Sequence, residues 1–155
     1  RQMCIRDRYL MNKYDMNIDT MLDILNKKSG VQGVSGVSSD FRDLEEGAEK
    51  GNERCALARE KFAYEVKKLI GAYAAVMGGV DAIIFTAGVG ENSASQRLDI
   101  ASGLEFMGVK MDAEANNVRG KEVVISAADS KVKVLLIPTN EELMIAMDTA
   151  SIVKG

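Results

Sequence analysis

Apolar residues recur along this chain with two periods. From about Asn52 to Met77, the residues Ala58, Phe62, Val66, Ile70, Tyr73 and Met77 fall three or four apart. That spacing predicts one long helix with a single apolar stripe, ended by Gly78-Gly79. An earlier helix starts at Asn17-Ile18-Asp19-Thr20, takes its apolar side from Met21, Leu22, Ile24 and Leu25, and stops at Gly30 after Lys27-Lys28. The segment from Gly30 to Ser39 carries valines at every third position among glycines and serines. Its glycines favour turns and close backbone approach over a regular strand. Asp40 to Glu46 opens a short acidic helix, with Ser38, Ser39 or Asp40 as its cap.

The second period is that of strands. Asp81 to Ala87 is β-branched and aromatic in content and predicts a strand, as do Lys121 to Ala127 and Lys131 to Ile137. The last two are joined by a turn at Ala128-Asp129-Ser130. Ser93 to Leu104 and Ala113 to Val118 are expected as helices, and Glu141 to Val153 as an amphipathic final helix that docks on something. Strands alternating with helices make an α/β domain. Residues 1–8 show neither periodicity nor a helix-start signal. Residues 1–9 are therefore expected to be non-native or disordered, with the domain proper over 10–140 and the C-terminal helix over 141–155.

Composition narrows the function classes. The 155 residues carry a net charge of −3, so no basic excess is available to neutralise a nucleic-acid backbone. No apolar run approaches the ~20 residues of a membrane span, and no signal peptide is evident. Two cysteines without a spacing pattern argue for reduced thiols in a cytoplasmic protein. Histidine is absent, which removes any mechanism built on an imidazole.

Three loops hold the candidate chemistry. After the first strand comes Gly88-Val89-Gly90-Glu91-Asn92. A dinucleotide fingerprint would need Gly at 93, where Ser93 stands, and no Gly-Lys-Ser/Thr follows to make a Walker A loop. A phosphate or nucleotide turn of another type remains, beside the plainer alternative of a tight strand-to-helix turn. Glu91 caps the helix or faces a ribose. In Asp40-Phe41-Arg42, an acid, an aromatic and a guanidinium in a row suit a nucleoside. They equally suit a helix cap, a core phenylalanine and a surface arginine. In Pro138-Thr139-Asn140-Glu141-Glu142, adjacent acids after a strand end suit Mg²⁺. They also suit a helix start with Thr139 or Asn140 as cap.

Together the three loops resemble the acetate kinase family. DAIIFTAGVGENSASQR (81–97) is similar to its nucleotide-binding signature, and GVSGVSSDFRDL (33–44) and IPTNEEL (137–143) to two further family segments. The similarity runs from about Leu10 to the C-terminus. It implies an incomplete ribonuclease H-like domain of the actin/hexokinase/Hsp70-like phosphotransferases. The implied activity is Mg²⁺-dependent transfer of the γ-phosphoryl group of ATP to acetate, giving acetyl phosphate and ADP. By position, Asp40, Phe41 and Arg42 line the adenosine site and Gly88, Val89, Gly90, Glu91 and Asn92 form the second nucleotide loop. Glu141 is the magnesium-associated carboxylate, and the final helix packs toward an N-terminal domain. The family's catalytic arginines and histidines lie upstream of the matching part, so no catalytic residue is expected in this chain and the chain alone is expected to be inactive. The resemblance also implies a cytoplasmic homodimer. It leaves open a propionate or other short-chain acyl kinase, and a non-catalytic nucleotide-binding or dimerisation piece.

Overall fold

Helix caps set most of the boundaries. The computed structural model describes residues 2–154, which divide into two compact units, Arg1–Phe62 and Ala63–Gly155. The first unit holds α1 (Gln2–Lys13), α2 (Ile18–Lys27), α3 (Gly30–Ser35) and α4 (Phe41–Glu49); α5 (Glu53–Met77) begins in it and crosses the boundary. Asn17 caps α2 by accepting from the Thr20 N–H, and Asp40 caps α4 by accepting from the Arg42 N–H. The glycine- and serine-rich stretch forms the short helix α3 rather than a run of turns. Gly36, left-handed at φ 68°, ends it. Close backbone approach does occur there, since a Cβ at Gly33 would stand 2.8 Å from the Lys28 carbonyl oxygen. Arg54 donates to the Val34 carbonyl (2.7 and 2.9 Å), satisfying an orphan acceptor near the C-terminus of α3. The core of this unit is Leu44, Cys55 and Ala58, with Val31, Val34 and Ala48 packed against it. Cys55 is a buried free thiol; the Cys4 side chain lies outside the described residues.

Residues 2–9, expected to be non-native or disordered, are helical within α1. Nothing from Gln2 to Lys13 breaks a helix, and Gln, Met, Arg and Leu all favour one, so propensity suffices without a strong apolar stripe.

The second unit contains the sheet. β1 (Ala82–Phe85) is followed by α6 (Ala87–Asn92), α7 (Ala94–Ala101), a single 3-10 turn at Glu105–Met107 and α8 (Ala113–Asn116). Then come β2 (Val123–Val124), β3 (Lys133–Leu136) and α9 (Glu141–Lys154). The strand order is β1-β3-β2, with β1 parallel to β3 and β2 antiparallel to it. All three strands are shorter than their apolar segments, because their ends turn off into loops. Val134 and Leu136 of β3 face the core, as do Phe85, Ile100, Leu104, Val109, Ile125 and Val132.

Two helices depart from the expected pattern. In α5 the buried residues of this unit are Ala63 and Ala74, whereas Tyr73 and Met77 are exposed. Small residues, not the large apolar ones, make its inner line. In α9 no residue is buried, although Leu143, Met144, Ile145, Met147, Ile152 and Val153 are apolar. Its apolar residues run consecutively from 143 to 145 and so surround the helix instead of forming one stripe. No helix among the described residues is long and apolar enough to cross a membrane.

Candidate functional site

Two neighbouring parallel strands end side by side, and their following loops form the candidate site. Beyond β1 and β3 the pairing continues by one bond, from the Ile137 N–H to the Phe85 carbonyl (3.0 Å). The chain then leaves β1 through Thr86 into α6, and leaves β3 through Pro138-Thr139-Asn140 into α9. In open α/β sheets, the carboxyl ends of parallel strands are where ligands bind.

The glycine segment, expected as a tight strand-to-helix turn or a phosphate or nucleotide turn, is itself a short helix, α6. Ala87, its first residue, has φ 56°, a conformation in which a non-glycine residue is uncommon. Asn92 donates from its side chain to the Gly88 carbonyl (2.8 Å). Gly90 lies against Phe85, where an added Cβ would be 3.5 Å from the Phe85 carbonyl carbon. Gly88 differs. Its backbone is not left-handed, and a Cβ there would meet nothing within 4 Å. Neither conformation nor packing inside the protein requires glycine at 88, so the open space beside its backbone is free for a ligand's close approach.

Glu91 ties the two loops together. Its Oε1 accepts from the Ala87 N–H (2.7 Å), the Thr139 N–H (2.7 Å) and the Thr139 hydroxyl (3.1 Å). These bonds, the Thr139 amide foremost, hold its carboxyl below the ordinary glutamate pKa against the opposing effect of desolvation. Of the two roles open to Glu91 from the sequence, the geometry is that of a helix cap that also reaches the next loop.

Beneath the loop lies Arg97, on α7 and fully buried. Its guanidinium donates to the carbonyls of Gly90 (2.8 Å), Glu91 (3.2 Å), Asn116 (2.6 Å) and Val118 (2.8 Å), and to Asn116 Oδ1 (2.8 Å). Burial, then the nearby Arg119 charge, pushes its pKa down. The buried Asn116 completes the support by donating to the Ala94 carbonyl (2.9 Å). Sequence reasoning missed Arg97 and Asn116. An arginine in the first turns of a helix reads as a surface residue, and only the three-dimensional convergence of carbonyls shows otherwise.

Glu141 heads α9, exposed, just after the Asn140 cap that accepts from the Leu143 N–H (3.1 Å). No group of three or more metal-ligating side chains exists among the described residues. A lone exposed carboxylate fits Mg²⁺ only where phosphate oxygens and water supply the remaining ligands, which is the usual arrangement for that ion.

Asp40, Phe41 and Arg42 belong to the other unit. Arg42 forks onto Asp40 (Nη2 to Oδ2 2.6 Å), which lowers the Asp40 pKa to about 2 through that side-chain hydrogen bond and the Arg42 N–H. Phe41 is half-buried and meets Phe62 edge-on, ring centroids 4.7 Å apart. The Arg42 side chain is almost fully exposed.

The fold and the paired strand-end loops define a mixed α/β domain with a small sheet, of the kind found in acyl kinases of known structure. The crystal structure of Porphyromonas gingivalis acetate kinase superposes with a TM-score of 0.88 at 49% identity, covering 95% of this chain and 37% of that one. A propionate kinase from Francisella tularensis gives a TM-score of 0.79 at 34% identity, covering 90% of this chain and 35% of that one. The acetate kinase of Heliobacterium modesticaldum is 62% identical over 147 residues, which are 95% of this chain and 37% of the relative. The acetokinase family profile matches residues 6–147. The chain belongs to the acetokinase family, and it spans little more than a third of the length of the curated relatives it matches. The match begins at Arg6, four residues before the expected start.

Proposed function

We propose that this chain is the nucleotide-binding part of an acetate kinase, an enzyme that moves the γ-phosphoryl group of ATP to acetate with Mg²⁺. The observation that carries this is the joining of the glycine loop to the Thr139 loop by Glu91 at the ends of β1 and β3. It ties the loop that contains Gly88 to the segment that leads into the helix headed by Glu141. In this reading Gly88, Val89, Gly90, Glu91 and Asn92 form a nucleotide loop, and Asp40, Phe41 and Arg42 contribute to the adenosine site. Glu141 is the carboxylate toward Mg²⁺, which when bound neutralises phosphate charge. The ribonuclease H-like superfamily, the packing of α9 on an N-terminal domain, the homodimer and the cytoplasmic setting belong to the same reading and rest on the family resemblance. Propionate is a second acyl acceptor to consider, because a propionate kinase is among the structural neighbours.

Phosphoryl transfer depends on positioned cations around the transferred group, and this chain has no histidine to contribute. Titration calorimetry of the 155-residue chain with MgADP tests the reading. Weak, saturable binding is expected, with no acetyl phosphate formed from ATP and acetate. Absence of binding at millimolar MgADP counts against the nucleotide site, and acetyl phosphate formation refutes the assignment of the catalytic groups to other sequence.

A further inference from the structure

Glu91 has been placed in the nucleotide loop, where a carboxylate beside phosphates is electrostatically awkward. Its bonds explain its presence differently. The Ala87 N–H opens α6 and would be a ready donor to an anion, yet Glu91 already occupies it. The same oxygen takes both donors of Thr139, two residues before Glu141. Arg97 holds the opposite side of the loop through the Gly90 and Glu91 carbonyls. The loop is thus fixed from two sides, and Glu91 provides the bonds that cross from one loop to the other.

We propose that Glu91 is a positioning residue that supports nucleotide binding without touching the nucleotide. It acts as an acceptor that staples the loop after β1 to the loop after β3. This rests on the nucleotide reading above. What Glu91 supplies in this role is an acceptor oxygen, which glutamine also has and alanine lacks. A carboxylate that contacted a metal ion through its charge would lose as much in E91Q as in E91A.

The test measures MgADP affinity of the wild-type chain, E91A and E91Q by calorimetry, and amide hydrogen exchange at Ala87 and Thr139 by NMR. Losing the acceptor of three hydrogen bonds predicts about tenfold weaker MgADP binding for E91A. E91Q is expected within about threefold of wild type, on the same reasoning that its carbonyl keeps the acceptor. Protection at Ala87 and Thr139 should fall together in E91A and persist in E91Q. E91Q as weak as E91A, or Thr139 protection unchanged in E91A, overturns the proposal. If E91A does not fold, folded E91Q that has lost MgADP binding overturns it alone. If the wild-type chain binds no MgADP, the nucleotide reading fails and the nucleotide role of Glu91 with it, while the paired exchange result still decides whether the staple exists.

Discussion

Replacing Arg97 by methionine removes five hydrogen bonds while keeping much of the side chain's length. The acceptors left behind are the carbonyls of Gly90, Glu91, Asn116 and Val118 and the Asn116 side-chain oxygen. Hydrogen bonds to a charged group contribute ~1.5–3 kcal/mol each, so a simple sum would rival the stability of a whole domain. Two effects reduce it. The desolvation cost of the guanidinium, several kcal/mol in a protein interior, is relieved. The Gly90 and Glu91 carbonyls sit in a half-buried loop that water can reach. What remains is the ~3–5 kcal/mol typical of removing one partner from a buried charged network. At about 3 kcal/mol, the midpoint of thermal unfolding should fall by roughly 6–12 °C for a chain of this size. Urea unfolding followed by circular dichroism gives the free energy. Arg97→Lys should recover little, because one ammonium cannot span carbonyls that five fixed N–H groups now reach. A loss below ~1 kcal/mol in Arg97→Met, small beside the expected range, would show that the convergence on Arg97 is not what holds this loop.

Two further predictions concern the staple and the first core. Because the folded Glu91 carboxyl titrates below its unfolded counterpart, its contribution to stability is full above the unfolded value and is lost as pH falls through the lower folded one. The Ala87 and Thr139 amide shifts should therefore titrate together with a midpoint below about pH 4.3, the ordinary glutamate value; a midpoint at or above it contradicts the bonding. Gly47→Ala should destabilise the chain by ~1–3 kcal/mol despite alanine's better helix propensity, since the new Cβ would stand 2.7 Å from the Cys55 sulfur. Urea unfolding checks this, and Gly47→Ala in a Cys55→Ala background should recover most of the loss.

The helices were legible because their signals are local. Asn17 and Asp40 are short polar side chains placed directly before apolar-periodic runs, and each caps the helix it announces. The strands were legible from β-branched content, and their lengths were not, since pairing partners decide where a strand stops. The three loops were singled out because their motifs are long and ordered as in the family. The contacts that organise them were not, because they join residues distant in sequence: Glu91 with Thr139, Arg97 with Asn116. The exposed faces of α5 and α9 escaped for a related reason. Tyr73 and Met144 have the residue types of a core, but burial is a property of what surrounds them.

The arrangement of the sheet also bears on how the second unit assembles. β2 and β3 are joined through Ala128-Asp129-Ser130 and pair antiparallel, so closing them costs little chain entropy. β1 pairs with β3 only after α6, α7 and α8 have been spanned, matching Ala82 with Lys133. Contacts that remote in sequence form late, once the entropy of the intervening chain has been lost elsewhere. The β1–β3 pairing and the Glu91–Thr139 bonds close over nearly the same span. The rim of the candidate site is therefore expected to be completed in the same late step as the sheet, and a variant slow to pair β1 is expected to be slow to form the Glu91–Thr139 bonds as well.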